Sequence, residues 1–274
     1  MNANVGSFGI ILVVNVVSLN TRGVPLFGAR LAARYAAIGT ALDGADAEVV
    51  CFQEVLTWWH LRLLARRMRS FRHVNVRPSL AGPAGGLVTF SRLAVSGTSY
   101  RGFGVPPKAP GISRSERLRA GLKGTLVTRL TTPGLSVINT HPTANRDGDW
   151  SRSNRFYPLH HAQLAVLATV VRTADPPVVV CGDFNVDRDS SLFAGFVAGA
   201  ELADAFNGIC PATFRAEYLP AGARPHCIDF ILTGAGVKAE AATTVFAGKE
   251  ALPGGPGYLS DHLGLRATLS GGLV

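Results

Sequence analysis

Several apolar runs in this chain end on a side chain that can do chemistry. Asn20 closes VVNVVSLN, Gln53 and Glu54 close AEVVCFQE, and His141 closes LSVINTH. Asp183 and Asn185 follow the buried-looking run PPVVVC, Asp229 sits inside HCIDFIL, and Asp261 and His262 precede the last apolar run in YLSDH. Taken singly, each has a local explanation. Asp and Asn form turns by bonding their own backbone, Glu54 suits the positive end of a helix, and a lone histidine is commonly a satisfied core residue. Repetition argues otherwise, because burying unpaired carboxylates costs several kcal/mol each.

As a set the residues are chemically coherent. Oxygen ligands from Asn20, Glu54 and Asp261, completed by water, suit Mg²⁺, a hard cation that keeps part of its hydration shell. The set contains no thiolate, which makes zinc the less natural ion. A hydrated cation beside a phosphate offsets charge that grows in a phosphoryl transition state. His262 needs a partner on its second ring nitrogen, and Asp229 is the candidate, since a carboxylate fixes the tautomer and raises basicity.

Elements must bring these residues together. Strand patterns fall at Ile10–Leu19, Glu48–Phe52, Leu87–Ser91, Thr125–Arg129, Ser136–Asn139, Val178–Cys181, Cys227–Leu232 and Leu263–Leu269. Val178–Cys181, bounded by Pro-Pro and Gly-Asp, reads as a strand buried on both faces. Helices are expected over Ala29–Leu42, Thr57–Arg69 and Phe156–Thr173. This mixture implies layered sheets covered by helices. With 274 residues, 47% of them hydrophobic, and no repeat or linker, the chain is expected to be one domain, 1–274.

A net charge of +9 favours an anionic partner: nucleic acid, an acidic membrane surface or a phosphorylated small molecule. Residues 101–123 carry six basic residues against Glu116 alone. They read as a solvated loop or as a flexible basic arm that meets substrate. The four cysteines form no C-x-x-C pair, which argues against a zinc knuckle or redox motif; Cys210 and Cys227 could pair in an exported protein, but free thiols are the expectation. The early run GIILVV has no preceding basic residue and no cleavage signal, and it is too short to span a membrane. It reads as the first core strand, with a cytoplasmic monomer expected. Trp58 and Trp59 read as core or rim packing, with stacking on a base or contact with lipid as the alternative, the Arg62, Arg66 and Arg69 stripe as a solvated face, and Asp204 as structural.

The ordered motifs SLN, QE, NTH, GDFN, IDFI and SDH resemble the endonuclease/exonuclease/phosphatase superfamily over roughly residues 10–270. The resemblance implies a DNase I-like α/β (α+β) fold, a four-layer sandwich of two packed mixed β-sheets flanked by helices. It further implies Mg²⁺-dependent (or Mn²⁺-dependent) phosphodiester hydrolysis. Asn20 and Glu54 then look like metal ligands with Asp261 near the same ion. Asp183 and Asn185 look like the pair that positions or activates water. His262 looks like the general base or phosphate-binding histidine, oriented by Asp229, and His141 like a donor to the phosphate oxygen in the transition state. His141 stands where abasic-site repair members usually carry tyrosine. The segments GGLVTFSR, KGTLV, NTHPTAN and HHAQLAVL look more like neutral sphingomyelinase-type members, which leaves nucleic acid or a phospholipid head group as substrate. Asn145 and Arg155, just after His141, are candidate substrate contacts. The rival outside catalysis is a silent anion-binding or nucleic-acid-binding module that keeps the fold.

Overall fold

The computed structural model describes residues 12–24, 30–104 and 110–271. The expected first strand loses Ile10 and Ile11, and the expected first helix Ala29, to positions outside that set. The first half of the chain runs β1 (Leu12–Asn20), α1 (Leu31–Asp43), β2 (Val49–Gln53), α2 (Trp58–Ala65), β3 (His73–Asn75), β4 (Val88–Ser91) and β5 (Val95–Gly102). It continues with α3 (Arg114–Gly121), β6 (Gly124–Leu130), β7 (Ser136–His141), α4 (Tyr157–Thr173) and β8 (Val178–Asp183). The last elements are α5 (Ser191–Gly199), β9 (Ala203–Asp204), β10 (Asp229–Thr233), β11 (Val237–Val245) and β12 (Gly264–Gly271).

The strands form two six-stranded sheets, ordered β11-β12-β1-β2-β4-β3 and β5-β6-β7-β8-β10-β9. Each is mixed. β1 pairs in parallel with β2, and β7 with β8; a parallel pair needs a long crossover, and α1 and α4 supply the two. The sheets pack face to face with helices outside, in the four-layer arrangement expected from the sequence.

Side chains on a strand alternate between faces, and that period explains both the core and the site. Val14 and Val16 on β1, Val49 and Cys51 on β2, Val137 on β7, Val179 and Cys181 on β8, and Ile231 on β10 fill the layer between the sheets. The intervening positions face outward. Val17, Leu19, Val50 and Phe52 pack under Tyr35, Ile38 and Leu64 of α1 and α2. Ile138, Val180, Phe230 and Leu232 pack under Leu164, Leu167 and Phe196 of α4 and α5. Counting onward by twos along the inner face leads from Val16 to Ser18 and Asn20, from Cys51 to Gln53, from Val137 to Asn139 and His141, from Cys181 to Asp183, and from Ile231 back to Asp229. The inter-sheet layer is apolar at one end and polar at the other.

Within 101–123, of which residues 105–109 lie outside the described set, the expected loop gives way to α3. Ser113 caps α3 by accepting from the Glu116 amide, while the Glu116 carboxylate accepts from the Ser113 amide. This reciprocal box satisfies two otherwise orphaned N–H groups. Ile112 and Ala120 then bury against Phe156 and Leu159 of the α4 entry, so α3 is docked by apolar packing.

Candidate active site

At the polar end, Asp183 is the hub. Its Oδ2 accepts from Asn20 Nδ2 at 2.8 Å and its Oδ1 from the Asn185 amide at 2.9 Å. Nε2 of His141 lies 3.5 Å and Nε2 of His262 3.8 Å from Oδ2. His262 Nδ1 meets Asp229 Oδ2 at 2.8 Å, and β8–β10 register sets Asp229 directly opposite Asp183. Asp183, Asp229 and His262 bring ligand-type atoms within 4.8 Å of one another. Local backbone makes this crowding possible. Gly182 holds φ at 147°, and a Cβ there would stand 2.0 Å from the Thr140 carbonyl oxygen, so the residue before Asp183 has to be glycine. Asn185 and Glu54 adopt φ of 52° and 62°, a costly left-handed conformation for non-glycine residues that concentrates at functional sites.

The three expected cation ligands converge on the turn after β1. Asn20 Oδ1 accepts from the Arg22 amide at 3.0 Å, and Glu54 Oε2 accepts from the next amide, Gly23, at 3.0 Å. Asp261 reaches the same turn through Arg22, whose Nε is 3.4 Å from Oδ2. Ser260 ties the two segments together by donating to the Asn20 carbonyl at 2.6 Å. Buried Arg34 on α1 clamps the turn from behind, donating to the Thr21, Arg22 and Leu259 carbonyls. Three oxygen-bearing side chains around one turn form a donor set that fits a hard divalent cation. Glu54 lies outside α2, whose cap is Thr57, so the helix-dipole explanation does not apply to it.

Charge at this end is strongly perturbed. Burial raises the Asp183 carboxyl to about 7, reinforced by Asp229 and opposed by His262. Burial pushes the His262 ring down, but facing Asp229 and Asp183 outweigh it and lift the ring to about 10. Burial, with Lys123 and His262 as neighbours, keeps His141 well below the usual imidazole range. Burial also lowers the Lys123 ammonium, against the pull of Glu54 and Asp183.

Lys123 is a site residue that sequence reasoning did not single out; there it counts among the basic residues of the 101–123 segment and opens KGTLV, with no role of its own. Its Nζ lies 3.0 Å from both ring nitrogens of His141, because β6 starts opposite the end of β7, with Gly124 paired to His141. Gln53 and Asn139 close the floor: Gln53 Nε2 donates to Asn139 Oδ1 at 2.8 Å, and Asn139 Nδ2 donates to the Phe52 and Val88 carbonyls. At the rim, Trp150 donates to the Asn185 carbonyl. Behind His262, Phe214 packs edge-on at 5.0 Å, and Thr213 Oγ1 accepts from the Ile228 and Asp229 amides. Asn145 and Arg155 make other contacts. Asn145 bonds Asp149 and Asp147 within its own loop, and Arg155 pairs with Asp147 and Glu116, tying that loop to α3.

The family model described as Endonuclease/Exonuclease/phosphatase family matches residues 2–262. The chain belongs to the endonuclease/exonuclease/phosphatase family. Solved structures of the same fold include TDP2 from D. rerio complexed with single strand DNA product (TM-score 0.70, 18% identity, covering 94% of this chain and 98% of that one). Sphingomyelinase C from Streptomyces griseocarneus gives 0.67 and 19%, covering 94% and 99%. A beta toxin mutant from Staphylococcus aureus with bound magnesium ions gives 0.66 and 16%, covering 93% and 99%. No curated protein matches the chain by sequence. Among the described residues, no helix is long and apolar enough to cross a membrane.

Proposed function

We propose that this family member is a Mg²⁺-dependent phosphodiesterase acting by in-line attack of water. The observation that carries the reading is the buried constellation at the polar end of the inter-sheet layer: Asp183 between two imidazoles, beside three oxygen donors on one turn. Asn20 and Glu54, with Asp261, would hold the cation. Bound there, it would withdraw charge from a phosphate oxygen in the transition state.

The remaining roles belong to the chain's own groups. Asp183, lifted to about 7, has the proton affinity suited to taking a proton from water near neutral pH, and Asn185 orients that water. His262, lifted to about 10 with Asp229 behind it, is protonated at pH 7 and binds a phosphate oxygen as a cation. Neutral His141 donates a hydrogen bond to the developing charge, with Lys123 supplying positive charge beside it. Asn145 and Arg155 keep a place as outer substrate contacts, available when their loop partners exchange for phosphate.

Nucleic acid is the favoured substrate, on the net charge of +9 and the arginines of α3. A phospholipid head group is the second reading, favoured by Leu118 and Leu122, which are 64% and 70% exposed beside those arginines. Hydrolysis of single-stranded DNA, single-stranded RNA, supercoiled DNA and sphingomyelin vesicles with Mg²⁺, across a salt series, separates the two. Polymer cleavage that weakens steeply with salt supports the first; sphingomyelin turnover with little salt dependence supports the second. No turnover of any of these or of a generic diester would favour a silent binding module.

A further inference from the structure

Positive charge and exposed apolar surface are gathered in one stretch of the chain. Residues 55–146 hold 15 of the 27 basic residues against Glu116 alone, while the rest of the chain holds 12 basic against 17 acidic. The net charge of +9 thus belongs to one part of the molecule, and the remainder is acidic. Among the described residues, five of the eight exposed large apolar side chains fall in the same stretch: Trp59, Val74, Leu80, Leu118 and Leu122. Scattered singly, such side chains are ordinary; here they coincide with arginine.

Three elements carry the pattern. On α2, exposed Trp59, Arg62 and Arg66 recur at i, i+3 and i+7, one face of the helix. On α3, exposed Arg114, Leu118 and Leu122 recur every four residues with exposed Arg119 beside them, while Ala120 faces the protein. Between the two in the chain, residues 77–83 make a turn closed on itself. Ser79 donates to the Gly82 carbonyl from its amide at 2.9 Å and from its hydroxyl at 2.7 Å, and Pro78 bridges Pro83. This turn displays a fully exposed Leu80, with exposed Arg77 at its base, so the leucine is ordered before it meets a partner. The three elements join at the mouth of the site. The Trp58 amide donates to the Ala81 carbonyl, and the Val55 amide, next to Glu54, to the Gly86 carbonyl. Tyr100 Oη lies against both Gly85 and Gly124, where an added Cβ would come within 3.0 and 2.5 Å of it. α3 reaches Gly124 through Lys123, whose Nζ meets His141. The basic and apolar rim therefore borders the mouth on the side of Glu54 and Lys123.

We propose that this rim docks the protein on an anionic lipid bilayer, with Trp59, Leu80, Leu118 and Leu122 entering the head-group region and the arginines among them meeting lipid phosphates. Arginine alone suits any polyanion, and the apolar side chains decide between them. Nucleic acid is held by phosphate contacts, hydrogen bonds to base edges and aromatic stacking, and three exposed leucines serve none of these. A bilayer interface takes leucine and tryptophan among basic residues, and its anionic lipids attract each arginine that approaches. The long arginine stems lie along apolar surface while their heads reach phosphate. The acidic remainder of the chain is repelled by the same surface, which turns the rim towards it.

Docking fixes where the protein sits and does not rest on hydrolysis or on which ester is cleaved. The test is cosedimentation of the full chain with vesicles of phosphatidylcholine alone and of an equimolar mixture with phosphatidylglycerol. Binding is expected to the mixed vesicles only, with a blue shift of tryptophan emission that Trp59→Phe removes. The triple variant Leu80→Ser, Leu118→Ser, Leu122→Ser should partition about tenfold more weakly, since three apolar side chains leave the interface. The double variant Arg114→Gln, Arg119→Gln should also lose about tenfold at low salt. All five positions are exposed, so both variants should keep the wild-type unfolding midpoint. A fluorescent single-stranded oligonucleotide, followed by anisotropy, should bind the wild type and the leucine variant alike. No binding to the mixed vesicles, full binding by the leucine variant, or an oligonucleotide affinity that falls with the leucines would overturn the proposal. No turnover is read, so its failure stays distinct from failure of the hydrolase reading.

Discussion

The two ends of the inter-sheet layer are built on the same strands and differ in kind. Val14, Val16, Val49, Val137, Val179 and Ile231 make one end dry and close-packed. Two to four residues further along the same faces, Asn20, Gln53, His141, Asp183 and Asp229 are as deeply buried but held by hydrogen bonds. The apolar end contributes cohesion without direction, since burial rewards area alone. The polar end contributes little net stability, because desolvation offsets most of its bonding, yet it fixes atoms in space. The contrast teaches that the strands are rigid enough at one end to hold a costly arrangement at the other.

Breaking each end separately should produce opposite phenotypes. The largest effect is expected from His262→Gln, which removes the cation that binds the phosphate oxygen and should lower kcat on a generic diester by about 10² to 10³, while the side-chain amide remains as a donor to buried Asp229 and keeps the thermal unfolding midpoint near that of the wild type. Ile231→Ala should do the reverse. It should cost about 2–5 kcal/mol of stability by leaving a cavity, read by denaturant unfolding, with kcat per folded molecule retained. Lys123→Met should raise KM for anionic diesters more than it lowers stability, since it removes positive charge beside His141; equal KM values would limit Lys123 to a structural role.

A second buried histidine sharpens the comparison through pH. His160, on α4 outside the layer, stacks on Phe156 and hydrogen-bonds the Thr143 carbonyl through Nε2, at 2.8 Å, with no carboxylate partner among the described residues, and burial lowers it to about 4 despite that bond. His262 faces two carboxylates and is raised. The unfolded chain takes up a proton on His160 below its ordinary value near 6.5, whereas the folded chain does so only near 4. Stability from this group is therefore complete above 6.5 and lost as pH falls towards 4. The full loss is about 3 kcal/mol, and it should be absent from the unfolding curves of His160→Gln.

Most of the sandwich was legible because its central strands are β-branched runs and its helices carry clear apolar spacing. The edges were not. β5 is largely exposed and β11 only half-buried; both are small or polar in composition and are held chiefly by pairing with β6 and β12. α5 carries Gly195 and Gly199 and is held by Leu192, Phe193 and Phe196. In α3 the S-x-x-E signature was present at Ser113 and Glu116, but the Gly, Pro and Arg content masked it. The candidate site was legible wherever a polar residue ended a strand, as at Asp183. Lys123 precedes its strand, and only β6–β7 register brings it to His141.

The most direct test of the central claim is hydrolysis of bis-p-nitrophenyl phosphate by the wild-type protein after EDTA treatment and again after Mg²⁺ is restored. Activity lost with the chelator and recovered with Mg²⁺ is the expected result. Full activity in EDTA, or recovery with Zn²⁺ but neither Mg²⁺ nor Mn²⁺, would contradict a hard-cation phosphodiesterase site at the polar end of the layer.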